Sequence, residues 1–368
     1  MNPRLHHLDD ARARFGARFD AHAEALDRAD PLADALLHRF RSDPAERGRL
    51  REALHRGIGA VPGASPELRA LFAAIDVVPP WVDRARLARG ARVFHRAGVL
   101  GGIALGARSL VGGYASPVGN KPLVLSGRLE HDVPARLAET GAYVAATHAP
   151  GGLDRFGAGF AANVGVRLIH AHARAMAAAD PRWDPAWGVP INQHDLAATT
   201  LLFSTVWVDG ARALGVEISR EDAEDHLHLW RYASVILGVE PALVPETEAE
   251  ANDLCTWFDL TEGPPDEDAR RLVRALLDPP EGPARQLRRQ LAEGLVRGVL
   301  GPSRAQALGV AAGPFAAVVP AVRAFAGPVS RLTRQSRWLD PWMVRGGRRY
   351  WAWASTPGTS SPAAAGYR

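Results

Sequence analysis

Two features of this 368-residue chain bear on chemistry first: it carries 13 histidines, and it has a single cysteine. With Cys255 alone, a cysteine-rich zinc or iron–sulfur site is excluded, and the apolar run Leu254-Cys255-Thr256-Trp257-Phe258 suits a buried, inert thiol. Lys121 is the only lysine, so any lysine ligand or Schiff base would fall there. The histidine pairs His170/His172 and His226/His228 are spaced by two, which turns them to different faces of a helix, and no HExxH segment is present. By spacing alone any of these histidines is an ordinary surface or core residue.

His170 stands out by its setting. It sits within Val164-Gly-Val-Arg-Leu-Ile-His170-Ala-His-Ala-Arg174, in a long apolar helix. A neutral imidazole projecting from such a helix is one way a protein holds haem iron, usually with a partner on the other ring nitrogen. The alternative is a hydrogen-bonded core histidine. Arg136 and Thr140 are one turn apart on the preceding helix and share a face. They either orient a bound anion, a haem propionate or dioxygen, or are an exposed arginine and a threonine bonded back to its own helix. Arg167 and Arg174 flank His170 and reach either propionates or solvent.

Helices must position these residues. Apolar residues recur at helical spacing from Leu8 to Phe40, and Glu67–Ile75 is expected to form a further helix. Val78-Pro79-Pro80-Trp81-Val82-Asp83 reads as an extended connector with Asp83 capping Arg84–Leu110, one or two helices. Helices follow over 133–147, 158–179, 191–214 and 221–237, the last closed by Gly238, and an amphipathic pair over 270–298. Alternating strand runs, internal repeats and phosphate-binding glycine loops are absent from the sequence. The expectation is an all-α protein: one helical domain over 1–356 and a disordered tail over 357–368.

Composition narrows the partners. The net charge is only +4, so the sequence pI of 9.7 reflects a small surplus over 40 acidic residues and no broad nucleic-acid-binding surface. The N-terminus has no apolar signal core or twin-arginine leader, which predicts a cytoplasmic protein. Ala305–Val322, the longest uncharged run before the C-terminal tail, is interrupted by Gly309, Gly313, Pro314 and Pro320. It reads as buried or membrane-touching helix pieces and not as a span. The arginines and tryptophans of 331–353 are expected to pack onto the core. The other uses of such a segment are a membrane interface or single-stranded nucleic acid. Asp195 is expected to cap its helix or pair with Arg231.

A string of motifs then resembles the latex-clearing protein (rubber oxygenase) family and its wider relatives. It runs from Gly113-Tyr114-Ala115-Ser116-Pro117 through Lys121-Pro122-Leu123, Ser126-Gly127-Arg128-Leu129, Arg136-Leu-Ala-Glu139-Thr140 and Arg167-Leu-Ile-His170. Gly188-Val189-Pro190-Ile191-Asn192-Gln193-His194-Asp195 and Leu227-His228-Leu229-Trp230-Arg231 follow in order, and the resemblance covers roughly residues 76–258. It implies a globin-like helical core around haem b, with additional N- and C-terminal helices, His170 as the proximal ligand, and Arg136 and Thr140 on the distal side. It also implies oxygen-dependent attack on a hydrophobic, unsaturated substrate.

The sequence departs from the rubber-cleaving members at two positions. Glu139 stands where those members carry a lysine able to reach the iron; as a carboxylate it would be a weaker ligand, with a raised pKa if buried. Their upstream glutamate falls near Asn120, with no carboxylate between Tyr114 and Glu130. Together with the expected cytoplasmic location, this points to an oxygenase of something other than rubber. A haem sensor or redox protein, and a haem-free helical binding or membrane-surface protein, are the competing expectations.

Overall fold

Residues 4–126, 133–279 and 281–356 are described by a computed structural model, in which every regular element is helical. The helices of eight residues or more are α1 (Leu8–Phe15), α2 (Pro31–Ser42), α3 (Glu46–Arg56), α4 (Pro66–Ile75) and α5 (Arg84–Ala104). They continue as α6 (Val133–Thr147), α7 (Ala158–Ala178), α8 (Gln193–Phe203), α9 (Thr205–Ala213) and α10 (Arg220–Leu237). The rest are α11 (Glu248–Thr261), α12 (Glu267–Leu277), α13 (Arg285–Leu300), α14 (Val318–Gln335) and α15 (Leu339–Ala354). The Gly127-Arg128-Leu129 part of the motif string and the tail at 357–368 lie outside the described residues.

Capping residues set the starts that the sequence suggests. Asp83 accepts from the amides of Ala85 and Arg86 at 2.8 and 3.3 Å, and Ser65 accepts from Leu68 at 3.1 Å ahead of Pro66. The connector before α5 is pinned to α10: the Asp83 amide donates to His228 Nε2 at 3.0 Å, and Arg231 lies 4.2 Å over the Trp81 ring. Thus the connector meets the 227–231 motif, far from it in the sequence.

Two expected helices are interrupted. The stretch 8–40 is cut into short helices with 3₁₀ turns, and 191–214 breaks at Ser204, whose φ/ψ is −104°/−93°. The break has a partner: the Phe203 carbonyl is freed to accept from His226 Nε2 at 3.1 Å, while Ser204 Oγ donates to the Thr200 carbonyl at 2.8 Å. Asn192, not Asp195, caps α8; Asp195 pairs with Arg4 instead, and Arg231 with Glu246. Of the uncharged run, Ala305, Leu308 and Val310 are buried in a core cluster, and no helix among the described residues is long and apolar enough to cross a membrane.

Helix α5 is the hub, with α15 and α10 packed along it and α9 against its C-terminal part. Such close crossing requires missing side chains. A Cβ on Gly347 of α15 would stand 1.6 Å from the His95 carbonyl oxygen, and one on Gly90 would stand 2.4 Å from that of Asp225. At the α5–α15 crossing, Arg92 and Arg96 hold Asp340, and Phe94 stacks between His148 (3.9 Å) and Trp351 (4.5 Å).

Beyond Ala104 the chain adds a π-helical turn over Leu105–Leu110. A π turn inserts a wider loop of backbone and frequently marks a functional site. Here its residues Leu105, Gly106 and Ser109 face a cavity.

Because the atom a Cβ would strike at Gly347 is backbone, Gly347→Ala must push α15 off α5. The expected loss is about 1–3 kcal/mol of stability, read as a lower urea midpoint by far-UV circular dichroism. An unchanged midpoint would contradict the crossing geometry.

Candidate functional site

A cavity of about 2620 Å³ is walled by α6, α7, α8, the π turn and parts of α10, α11 and α15. Ordinary ligand pockets run to about 1,000 Å³, so this one has room for a large cofactor together with a second molecule. His170, Arg136, Glu139 and Thr140 all line it. The sequence reading therefore names four residues that the fold brings to one space.

Their helices are locked together by an amide. The Tyr143 hydroxyl donates to Asn163 Oδ1 at 2.9 Å, and Asn163 Nδ2 donates to Thr147 Oγ1 at 3.3 Å and to the Gly159 carbonyl at 2.8 Å. Tyr143 and Thr147 belong to α6, and Asn163 to α7. A buried network of this kind, fully satisfied, fixes the register of two helices. It thereby sets Arg136 and Thr140 relative to His170.

His170 is half-buried on the cavity wall, and its Nδ1 is buried without a hydrogen-bond partner. Burial first, then the charges of Arg174 and Arg136 against the opposing charge of Asp30, bring its pKa down to about 4. At neutral pH it is an uncharged imidazole with an unspent ring nitrogen, which is the state a metal requires. A neutral imidazole on the wall of an apolar cavity large enough for the macrocycle fits haem iron. The second ring-nitrogen partner that such ligands usually have is not seen. Among the described residues no group of three or more His, Cys, Asp and Glu side chains is arranged to hold a metal ion.

The structure corrects two assignments. Arg167 Nε and Nη2 hold Asp30 at 2.6 and 2.7 Å, and Arg174 holds Asp34 and donates to the Ile191 carbonyl at 3.1 Å. Neither lines the cavity. Both are buried, and a buried guanidinium that already has a carboxylate serves helix docking, here of α2 onto α7, and not a propionate. Glu139 is exposed at the cavity edge, so the burial considered for it is not met. Cys255 also lines the cavity, only partly shielded, and burial with nearby Asp209 and Asp259 pushes its thiol up to about 12. That keeps it the inert thiol expected.

Several wall residues were not singled out from the sequence. Tyr143 lies seven residues after Arg136 on the same stripe, and that spacing was a usable signal. Glu262 was not recoverable, because its partners come from three places in the chain. His194 Nε2 lies 3.2 Å and Arg4 Nη2 3.1 Å from Glu262 Oε1, and the Ser116 hydroxyl donates to Oε2 at 2.9 Å. Burial alone would raise the carboxyl of Glu262, but these partners outweigh it and bring it down to about 2. Glu262 is therefore a fixed anion and a poor proton acceptor. Asn120 occupies the place of the expected base; it is buried and its amide donates to the Tyr114 carbonyl at 2.7 Å, holding the turn after the π segment.

Comparison with known proteins places these features. Residues 92–331 match the family described as ER-bound oxygenase mpaB/B′/Rubber oxygenase, catalytic domain. A rubber oxygenase from Streptomyces sp. (strain K30) is 29% identical over 231 residues, which is 61% of this chain and 55% of the relative. The chain thus spans little more than half the length of that relative. The solved structure of latex clearing protein LCP in the closed state has the same fold, with a TM-score of 0.68 at 21% identity over 89% of this chain and 91% of that one.

Two outcomes follow from the electrostatics. Arg167→Ala strands the Asp30 carboxylate, so stability should fall by about 3–5 kcal/mol in urea unfolding, while ligand binding by the folded fraction stays unchanged. Lost binding without lost stability would return Arg167 to the site. His170, His226 and His228 are each depressed to about 4 from 6.5, mainly by burial. Unfolded chains bind these protons first as pH falls, so stability is full above about 6.5 and declines between 6.5 and 4. Urea midpoints that stay level or rise on going from pH 7.5 to pH 5 would refute this.

Proposed function

This chain belongs to the ER-bound oxygenase mpaB/B′/Rubber oxygenase family, and on that footing we propose that it is a haem b-dependent oxygenase whose iron is held by His170. Its substrates would be dioxygen and a hydrophobic, unsaturated small molecule or lipid-like compound. The observation that carries this reading is the neutral, half-buried imidazole of His170 on the wall of a cavity of about 2620 Å³.

When bound, haem b would supply the activation of dioxygen, a chemistry no side chain of this chain offers. The protein's own residues supply the rest. Arg136 and Thr140, one turn apart, present guanidinium and hydroxyl donors to the cavity and would orient an oxygen-bearing group there. Tyr143 spends its hydroxyl hydrogen on Asn163, and burial raises its pKa, so it holds α6 in place and keeps its proton. Leu105, Leu202, Phe203 and Trp230 supply apolar walls, excluding water and accepting a hydrocarbon.

Glu139 and Asn120 bear on substrate choice. The resemblance associates rubber cleavage with a lysine at the first position and a base near the second. Here one is an exposed carboxylate and the other a carboxamide committed to the backbone. We therefore place the reaction within the family's oxygen chemistry but on a substrate other than polyisoprene.

The direct test is the visible spectrum and pyridine haemochrome of protein expressed with haem supply. A Soret band with a haem b haemochrome is expected, together with its loss in His170→Ala. Colourless protein after added haemin, or a His170→Ala variant that keeps its haem, would overturn the assignment. With haem in place, Arg136→Ala is expected to lower oxygen consumption on an unsaturated lipid by about 10²-fold or more without altering haem content.

A further inference from the structure

Helix α15 splits into two faces. Asp340, Val344, Gly347 and Trp351 are buried against the core. On the other side Trp338, Trp342, Arg345, Arg349 and Trp353 recur at helical spacing and form one stripe. The three tryptophans are 72%, 68% and 74% exposed. The expectation that this segment simply packs onto the core holds for only one of the faces. Neighbouring α14 adds a second exposed apolar stripe: Phe325, 79% exposed, with Val329 and Leu332.

Charge on these helices has one sign. Residues 318–356 hold seven arginines and one acidic residue, Asp340, which is buried against Arg92 and Arg96. Arg323, Arg345, Arg348 and Arg349 have no ion-pair partner among the described residues. Arg337 and Arg345 lie 5.1 and 5.0 Å over the Trp338 and Trp342 rings. The stripe is also continuous with the cavity, because exposed Trp353 lines it together with Tyr350 and Ala354.

We propose that this face docks on the surface of an anionic phospholipid bilayer. Tryptophan and arginine together suit the headgroup region, where indole and guanidinium keep polar contacts while their apolar parts leave water. Phe325, Val329 and Leu332 would enter the acyl boundary. A second copy of this chain is disfavoured, since its arginines would meet arginines. Base stacking of a nucleic acid would use the tryptophans but leave the aliphatic stripe of α14 without a role. On the reading of the cavity given above, docking sets the cavity opening beside Trp353 against lipid, so a hydrophobic substrate would enter without crossing water.

The experiment is co-sedimentation with vesicles of pure phosphatidylcholine or of equimolar phosphatidylcholine and phosphatidylglycerol, on both haem-free and haem-loaded protein. Binding to the anionic vesicles, weakened by salt and accompanied by a blue shift of tryptophan emission, is expected. Each arginine neutralised should cost about five-fold in affinity, hence roughly 25-fold for Arg345→Gln/Arg349→Gln. Trp338→Ala/Trp342→Ala should lose the blue shift. All these positions are exposed, and far-UV circular dichroism checks that the variants fold.

The proposal is overturned by absence of vesicle binding, or by binding that both double variants retain. It is equally overturned by an affinity for oligothymidylate, or by concentration-dependent self-association, that the same substitutions abolish while vesicles do not compete. Colourless protein that binds vesicles would remove the oxygenase reading alone, and haem-loaded protein that ignores them would remove only the docking.

Discussion

A cavity of about 2620 Å³ has to be kept from collapsing. Protein interiors close-pack, and an unfilled apolar space weakens a fold in proportion to its volume. The walls must therefore be held by interactions that do not depend on what fills the middle. Polar clamps serve this purpose because a hydrogen bond fixes distance and direction, whereas apolar contact alone would slide inward.

The clamps sit where the walls meet. Asn163 ties α6 to α7 through Tyr143 and Thr147. Arg167 with Asp30, and Arg174 with Asp34, tie α7 to α2 behind the cavity. Arg4 with Asp195 and Glu262 closes the edge where the N-terminal segment, α8 and the end of α11 converge. Buried pairs add little net stability over apolar replacements, but removing one partner is costly, so they specify one arrangement. The glycine crossings of α5 add the complementary constraint, setting helix spacing at the hub from which the π turn enters the cavity wall.

Desolvation shapes the chemistry left to the site. It keeps His170 uncharged and the Tyr143 hydroxyl protonated, while Glu262 is held as an anion only because three partners compensate its burial. The wall thus holds a neutral imidazole at His170 together with Arg136 and Thr140.

The sequence by itself determined the all-helical class, because apolar residues at helical spacing and capping residues such as Asp83 and Ser65 act within a few positions of one another. It also brought Arg136, Glu139, Thr140 and His170 into consideration, through one-turn spacing, apolar setting and family motifs. What Arg167 and Arg174 bind was decided only in three dimensions, since Asp30 and Asp34 lie more than a hundred residues away and nothing local announces them. The Ser204 break is of the same kind: a helix pattern has no signal for a carbonyl claimed by His226 from another helix. The two faces of α15 could be told apart only once α5 had covered one of them. Periodicity shows that a helix has sides, but which side meets protein and which meets solvent is a property of the packed chain.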